Sequence, residues 1–218
     1  MKKDLQVMNK IIVYGAGGFG RETALMIRQI NVQSIRWNLI GFCDDGLSAG
    51  KVVDGLPVLG GIDHLNEVQE ETAVAIAIAD PKIRKSIREK IVNTKINFPV
   101  LVHPSVMLGD AERNSIGEGT IITAGNILTT NIHIGSFVII NLANTIGHDV
   151  TIDSYTSIMP GCSLSGFIDI ETEVMVGTGA RLLPQVKVGK GSKVGAGAVV
   201  TNSVNAGTTV VGVPAKSI

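Results

Sequence analysis

A histidine followed directly by an aspartate, His148–Asp149, is the pair in this sequence best suited to catalysis. Histidine gains and loses a proton near neutral pH, and an adjacent carboxylate can orient its ring or raise its basicity. Such a base can take the proton from an amine or hydroxyl that attacks a thioester. The alternative is an ordinary solvated pair on a surface. The elements that carry the dyad decide between the two interpretations.

The dyad lies within a six-residue repeat that runs from Ile116 to Val200. Every sixth residue is aliphatic, fifteen in register without an insertion. Neither a helix nor a flat strand has this period, whereas a parallel β-helix does. His148 is the second residue after the aliphatic Ile146, so its side chain is predicted to point outward. Glycines that follow an aliphatic are predicted to take positive φ in turns: Gly117, Gly135, Gly147, Gly177, Gly189 and Gly195.

The first hundred residues have a different pattern, in which four apolar runs alternate with helix-like segments. The apolar runs are KIIVYGAGG (10–18), LIGFCDD (39–45), TAVAIAIAD (72–80) and FPVLVHP (98–104). Buried strands that alternate with helices predict a small parallel α/β domain. The chain is therefore predicted to comprise a flexible N-terminus at 1–9, the α/β domain at 10–103, the β-helix at 104–212 and a tail at 213–218.

Composition and spacing exclude several function classes. Nineteen basic and nineteen acidic residues are spread along the chain, which argues against a nucleic-acid partner. No signal peptide or apolar run of membrane-spanning length is visible, so a cytoplasmic protein without a membrane partner is expected. Cys43 and Cys162 lack metal-like spacing. His133 and His148 are fifteen residues apart, and no histidine follows, so no metal is expected.

The segment GAGGFG (15–20) fits a nucleotide-binding glycine turn between a strand and a helix. Asp44 and Asp45 end the next strand, where a carboxylate can reach ribose hydroxyls. Binding of NAD would need a second mononucleotide half, which a domain of about a hundred residues does not provide. The nucleotide part of another substrate and a purely structural turn both remain open.

The order of GAGGFG, DD, IRK, HPS, IIN, HD, VGAGAVV and GVPAK resembles a bacterial family over nearly the whole chain. This family comprises the sialic-acid O-acetyltransferases and the nucleotide-activated 4-amino-sugar N-acetyltransferases. The resemblance implies a left-handed β-helix of three-sided coils, five in number here, and a homotrimer. It implies acetyl-CoA as the donor, His148 as the general base and Asp149 as the acid that tunes it. Transfer would be direct, without a covalent enzyme intermediate.

The resemblance also assigns binding residues. Those implied for the substrate are Gly17, Phe19, Asp44, Asp45 and Asn141, and those implied for the cofactor are Ser157, Gly166, Thr178, Ala196 and Lys216. Two positions depart from the amino-sugar members: Phe19 replaces a histidine found in some of them, and Ser157 replaces a second histidine that contacts the acetyl group. The change at Ser157 favours O-acetylation or a different acceptor.

The sequence therefore predicts a cytoplasmic acetyltransferase that acts on an amino or hydroxyl group of a nucleotide-linked sugar in bacterial surface-glycan synthesis. One alternative is a non-catalytic β-helix scaffold with a nucleotide-sensing domain. A second alternative is an NAD-dependent oxidoreductase.

Overall fold

The computed structural model describes residues 8–110 and 112–218. The chain forms two compact units. One contains the chain up to Ile78 together with Ser86–Pro99, and the other contains Ala79–Lys85 together with Val100–Ile218. Most of the predicted flexible N-terminus lies outside the described residues, and Asn9 already begins a strand. Within the described ranges, no helix has the length and apolar character needed to cross a membrane.

The first unit is built on a six-stranded sheet. Its strands are β1 Asn9–Tyr14, β2 Trp37–Cys43, β3 Val52–Val53, β4 Leu56–Gly60, β5 Thr72–Ile76 and β6 Ile96–Asn97, in the order β3-β4-β2-β1-β5-β6. Only the β3–β4 pair is antiparallel among these described strands. Its helices are α1 Gly18–Gln33 and α2 Ile62–Glu67; a third helix, α3 Pro81–Lys90, begins in the second unit and passes into the first at Ser86. The apolar runs of β1 and β5 are buried, as expected for central parallel strands, so the α/β prediction is confirmed.

The second unit is a parallel β-helix of short strands. They are β7 Leu101–Val102, β8 Met107–Leu108, β9 Ser115–Ile116, β10 Ile121–Ile122, β11 Ile127–Leu128, β12 His133–Ile134, β13 Ile139–Ile140, β14 Thr145–Ile146, β15 Thr151–Ile152, β16 Ser157–Ile158, β17 Ser163–Leu164, β18 Asp169–Ile170, β19 Met175–Val176, β20 Arg181–Leu182, β21 Lys187–Val188, β22 Lys193–Val194, β23 Val199–Val200, β24 Thr209–Val211 and β25 Lys216–Ser217. Strands β9 to β23 each end on one of the fifteen predicted aliphatic residues.

Every third strand of the β-helix joins the same sheet, which gives the coil three sides. The first sheet starts at β7 and β10, the second at β8 and β11, and the third at β9 and β12. From the β9–β12 pair to the β20–β23 pair the register is eighteen residues per coil, as in the pairing of Ile140 with Ile158. It is twenty residues for the β7–β10 and β8–β11 pairs and sixteen for the β22–β24 pair. The aliphatics that end the strands point inward, and all except the partly buried Ile116 are buried. The predicted fold class is thus confirmed, although strands β7 and β8 precede most of the predicted β-helix range.

Positive φ does not occur where the sequence predicted it. The left-handed residues stand three positions after each aliphatic from Ile116 to Val194, as at Gly119 (φ 67°) and Gly125 (φ 76°), and not one position after it. The glycines that directly follow the aliphatic have another purpose. A Cβ on Gly117 would lie 2.6 Å from the backbone of Gly135, and one on Gly177 would lie 2.6 Å from the nitrogen of Ala196. These glycines let successive coils approach closely.

A ladder of hydrogen bonds links the polar side chains inside the β-helix. Asn126 Oδ1 accepts from the Asn144 backbone N–H at 2.9 Å, and Asn144 Oδ1 accepts from that of Cys162 at 2.7 Å. Each side chain also donates to the carbonyl three residues earlier, and the Cys162 thiol does so to Met159. Cys162 is therefore the last residue of a structural ladder.

Candidate active site

Three corners connect the three sheets, and the predicted catalytic pair lies at one of them. We call the links from the second to the third sheet the dyad corner; they are residues 129–132, 147–150, 165–168 and 183–186. The links from the first to the second sheet form the first corner, residues 123–126, 141–144, 159–162, 177–180 and 195–198. The links from the third to the first sheet, residues 135–138, 153–156, 171–174 and 189–192, form the third corner. In each corner the residues of successive coils stack in columns.

His148 and Asp149 form a hydrogen-bonded pair at the dyad corner. The imidazole Nδ1 lies 2.7 Å from Asp149 Oδ2, and 53% of the His148 side chain is exposed. The side chain thus points away from the coil interior, as the register predicted. The pair is in contact and the imidazole can be reached from outside the coil, which are the two properties that a general base needs.

The tautomer of the imidazole follows from the state of the carboxylate. Hydrogen bonds from Asn131 and from His148 hold the pKa of Asp149 below its ordinary value. The carboxylate is therefore ionised at neutral pH and can only accept hydrogen bonds. Nδ1 must carry the hydrogen, so Nε2 of the neutral imidazole keeps its lone pair and can accept a proton.

Two residues that the sequence interpretation missed complete this corner. Asn131 donates its side-chain amide to Asp149 Oδ1. The ring of Phe167 meets that of His148 edge-on, with centroids 5.0 Å apart and planes at 85°. Asn131 and Phe167 stand eighteen residues before and after Asp149. The three-sided period therefore contained the signal that would have found them.

Gly166 lies directly against the imidazole. A Cβ at this position would be 2.5 Å from His148 Cε1 and 2.7 Å from Nε2. The missing side chain leaves room for the ring, which packs against the backbone of this glycine. The structure therefore brings three predicted site residues together: His148, Asp149 and Gly166.

The other predicted residues of the β-helix lie elsewhere. Thr178 and Ala196 are exposed and occupy equivalent places on successive coils of the first corner. Asn141 belongs to the same corner, but it is 6% exposed and its amide oxygen accepts from the N–H of Leu142 at 2.8 Å. Lys216 is exposed on β25, which pairs antiparallel with β24.

The structure does not support a cofactor contact for Ser157. This residue has no exposed surface, and its hydroxyl donates to the carbonyl of Ala79 at 2.7 Å. The same hydroxyl accepts from Nη2 of Arg84 at 3.0 Å. A hydroxyl that is enclosed and already paired on both sides cannot donate to a thioester carbonyl. Ser157 is instead part of the contact between segment Ala79–Lys85 and the first sheet.

Arg84 is the centre of that contact and was not predicted. Its guanidinium is completely buried and donates to the carbonyls of Phe137 and Tyr155, each at 2.8 Å. Burial lowers its pKa to about 9, so the group is still a cation at neutral pH. Phe137 and Tyr155, whose carbonyls it binds, stack their rings at the third corner with centroids 5.4 Å apart.

The glycine turn of the first unit has the predicted form. Gly15 has a φ of 99°, and a Cβ on Gly20 would lie 1.7 Å from the Gly15 carbonyl oxygen, so both positions need glycine. Asp44 Oδ2 accepts from the N–H of Ala16 at 2.9 Å and ties the turn to the end of β2. Gly17 is exposed directly before α1, and Phe19 is half-buried in its first turn.

The two acids after β2 have partners within the unit. Besides its bond to Ala16, Asp44 accepts from the N–H of Gly46 at 2.9 Å. Asp45 accepts from the N–H of Ile62 at 2.9 Å and from the hydroxyl of Tyr14. Burial, followed by this bond to Asp45, raises the pKa of Tyr14 far above its ordinary value. Both carboxylates are thus fixed at the carboxyl edge of the sheet, the edge at which parallel α/β sheets bind ligands.

Metal ligation is not indicated by the described residues. No group of three or more histidines, cysteines, aspartates or glutamates within 8–110 and 112–218 is arranged to hold an ion. His133 lies on the third sheet, where its Nδ1 is 2.9 Å from the hydroxyl of Ser115.

A three-sided β-helix with an exposed histidine–carboxylate pair, joined to an α/β unit with a glycine turn, defines the class of hexapeptide-repeat acyltransferases. Residues 10–91 match the PglD N-terminal domain family. The chain is 35% identical to the GDP-perosamine N-acetyltransferase of Escherichia coli O157:H7 over 97% of both chains. The chain therefore belongs to the family of nucleotide-sugar N-acetyltransferases that includes this enzyme.

Solved structures agree with this assignment. The acetyltransferase domain of PglB from Neisseria gonorrhoeae FA1090 in complex with acetyl coenzyme A is 32% identical, with a TM-score of 0.86, over 97% of this chain and 100% of that one. PerB from Caulobacter crescentus in complex with CoA and GDP-perosamine is 25% identical, with a TM-score of 0.86, over 97% and 98%.

These findings confirm the predicted enzyme class. The chain is an acetyl-CoA-dependent sugar acetyltransferase, and the scaffold and NAD-dependent alternatives are set aside. The GDP-perosamine enzyme is an N-acetyltransferase, so the comparison favours a sugar amine as acceptor over the hydroxyl that the change at Ser157 had suggested.

Proposed function

We propose that the enzyme transfers the acetyl group of acetyl-CoA to the amino group of a nucleotide-linked 4-amino sugar, with His148 as the general base. The observation that carries the proposal is the ordered chain Asn131–Asp149–His148 at an exposed corner of the β-helix. It leaves Nε2 of the imidazole, which lies beside Gly166, with a free lone pair.

In the proposed reaction the sugar amine attacks the thioester carbonyl, and its proton passes to Nε2 of His148. The carbon–sulfur bond then breaks, the proton returns to the departing thiolate, and CoA leaves as the free thiol. Asp149 stays ionised throughout and stabilises the imidazolium that forms between the two steps. No covalent bond to the enzyme is required.

The proposal places the two substrates at the predicted binding residues that the structure leaves accessible. Acetyl-CoA would lie between two copies of the chain, along Thr178 and Ala196 at the first corner of one copy and beside Gly166 at the dyad corner of the other, with Lys216 near its phosphates. The nucleotide would bind at the glycine turn, with its phosphates close to the amino end of α1 at Gly17. In this scheme Asp44 and Asp45 shape the edge of that site, beside Phe19.

We also propose that the enzyme is a homotrimer. Large apolar side chains are exposed on and beside the second sheet, among them Met107 at 62% and Leu183 at 42%. Met107 is the register partner of Ile127, which is also exposed, so the two extend one apolar strip. Association of copies through this strip would remove it from water. A mass of three chains in light scattering after gel filtration is the expected result.

The relatives suggest the setting in which the enzyme acts. We place it in the cytoplasm, in the synthesis of a bacterial surface glycan, where an upstream step must supply the amino group on a nucleotide-activated sugar. Asn141 is proposed only to support the first corner, since its side chain is largely buried.

An acceptor panel with matched analogues tests the proposal. Release of CoA thiol and the mass of the product would be followed with GDP- and UDP-linked 4-amino sugars, the same sugars with a 4-hydroxyl group, and CMP-sialic acid. We expect turnover with at least one amine and none with its hydroxyl analogue. Turnover confined to hydroxyl acceptors would contradict the proposal, and the preferred amine would identify the nucleotide.

A further inference from the structure

The residue three positions after each aliphatic is left-handed at every coil from residue 119 to residue 197. At the first corner this column contains Gly125, Ala143, Gly161, Gly179 and Gly197, nearly all of them residues without steric cost in this conformation. At the dyad corner the same column contains no glycine over four successive described coils: Asn131 (φ 55°), Asp149 (φ 57°), Phe167 (φ 60°) and Gln185 (φ 67°). The two corners thus have the same left-handed backbone conformation in this column but different residue types.

Phe167 is the member of this column that most needs an explanation. Asparagine and aspartate tolerate the left-handed region because their short polar side chains form local hydrogen bonds, whereas a bulky aromatic residue is strained there. Burial does not account for Phe167, since its side chain is 55% exposed. A glycine at this site would remove both the strain and an exposed apolar ring.

Comparable aromatic residues elsewhere in the β-helix have structural partners. Phe137 and Tyr155 are also left-handed, at the third corner, but their rings stack on each other and their carbonyls bind the buried Arg84. The ring of Phe167 instead packs against the imidazole of His148. Its backbone N–H also donates to the carbonyl of His148 at 3.0 Å.

We propose that Phe167 and Asn131 are positioning residues that hold the dyad from the two neighbouring coils. Asn131 fixes the carboxylate of Asp149 from one side, and Phe167 fixes the tilt of the imidazole from the other. Together with Gly166 they confine the ring to one orientation, in which Nε2 borders the space left by the missing Cβ. This inference rests on the proposed role of His148 as the base.

The experiment compares glycine substitutions along one column. Phe167→Gly and Asn131→Gly remove a side chain that contacts the dyad, and Gln185→Gly removes one that lies two coils away from Asp149. Phe167→Gly and Gln185→Gly relieve backbone strain, and Asn131 is exposed, so none of the three is expected to lower the unfolding temperature. We expect kcat to fall about tenfold in the first two variants, with both KM values within about twofold of wild type, because a displaced base slows the chemical step and leaves binding intact. Gln185→Gly should have the kcat of wild type.

Two further variants distinguish an effect of the aromatic ring of Phe167 on the imidazole from an effect of its apolar volume. Phe167→Tyr keeps the aromatic edge and should restore kcat to within about twofold, whereas Phe167→Leu keeps an apolar side chain without the ring and should stay about tenfold low. An unchanged kcat in Phe167→Gly would overturn the inference, and so would a rise of KM with kcat unchanged, since that pattern marks a substrate contact. His148→Ala is measured alongside. If it remains active, the base assignment fails; if it is inactive while Phe167→Gly is normal, only the positioning role fails.

Discussion

The dyad corner and the first corner have the same backbone conformation. They differ in the residues at the left-handed positions and in the direction in which their polar side chains point. At the first corner, left-handed positions are mostly glycine, and the polar groups point inward, where Asn144 and Cys162 continue a hydrogen-bond ladder. At the dyad corner, none of the left-handed positions is glycine: Asp149 and Phe167 contact His148, and Asn131 contacts Asp149. In a repeat whose backbone is constant, a residue that costs stability without contributing to the core indicates chemistry.

The largest expected effect is on His148 itself. His148→Ala should lower kcat by roughly 10²–10⁴-fold, because the proton of the nucleophile has no acceptor, while the unfolding temperature stays unchanged for an exposed side chain. Thiol release under saturating substrates measures this effect. A decrease in kcat of less than about threefold would show that the dyad has no part in the mechanism. The functional difference proposed between the dyad corner and the first corner would then be wrong.

Two glycine-to-alanine substitutions compare the corners directly. In Gly166→Ala the new methyl would meet the His148 ring at 2.5 Å, so the ring must move, and kcat should fall by about a hundredfold with little change in stability. In Gly177→Ala the methyl would meet the backbone nitrogen of Ala196 at 2.6 Å, so the coils must shift, at a cost of about 1–3 kcal/mol in unfolding free energy. Urea titration and kcat together test both. Equal effects of the two variants on stability would contradict the assignment of Gly166 to the catalytic site and of Gly177 to contact between coils.

Removal of the Ser157 hydroxyl should affect stability and leave catalysis intact. Ser157→Ala would leave the Ala79 carbonyl without this donor and Arg84 Nη2 without this acceptor, which should cost about 1–3 kcal/mol in unfolding free energy. The KM for acetyl-CoA should stay within about twofold. A large rise in this KM with unchanged stability would restore the cofactor role that the sequence suggested.

A smaller effect on stability is expected from protonation of Glu173 at the third corner. The hydrogen bond from Lys85 lowers the pKa of Glu173, so the unfolded state binds more protons than the folded state below the ordinary value of 4.5. The stabilisation is therefore present above pH 4.5 and is lost as the pH falls through the folded pKa. Glu173→Gln should be less stable than wild type by about 0.2–1 kcal/mol at neutral pH, with the difference shrinking in acid. A difference in unfolding free energy between wild type and Glu173→Gln that is the same at all pH values would contradict this prediction.

The regular parts of the molecule could be predicted from the sequence because they depend on local period. The six-residue spacing places Ile146 inside the coil and His148 outside it, and both placements are confirmed. The same period, extended to eighteen residues, would have paired Asp149 with Asn131 and Phe167. The predicted position of the left-handed residue within each hexad was wrong. Close contact between coils and positive φ both favour glycine, so the presence of a glycine does not show which of the two causes applies.

The parts that could not be predicted depend on contacts distant in sequence. Nothing in the local pattern around Ser157 indicates that Arg84, seventy-three residues earlier, covers its hydroxyl. Asp44 is a second example. Its place beside the glycine turn follows from the strand order, but its hydrogen bond to the N–H of Ala16 appears only in the structure.

The tautomer of His148 tests the central claim most directly. Long-range nitrogen-15 NMR of the neutral imidazole, assigned with His148→Gln, distinguishes a protonated Nδ1 from a protonated Nε2. The ionised Asp149 carboxylate requires hydrogen on Nδ1, so Nε2 should show the shift of a bare nitrogen, and Asp149→Ala should abolish this preference. A wild-type spectrum dominated by hydrogen on Nε2 would contradict the account, because the nitrogen beside Gly166 would then have no lone pair to accept the proton of the amine.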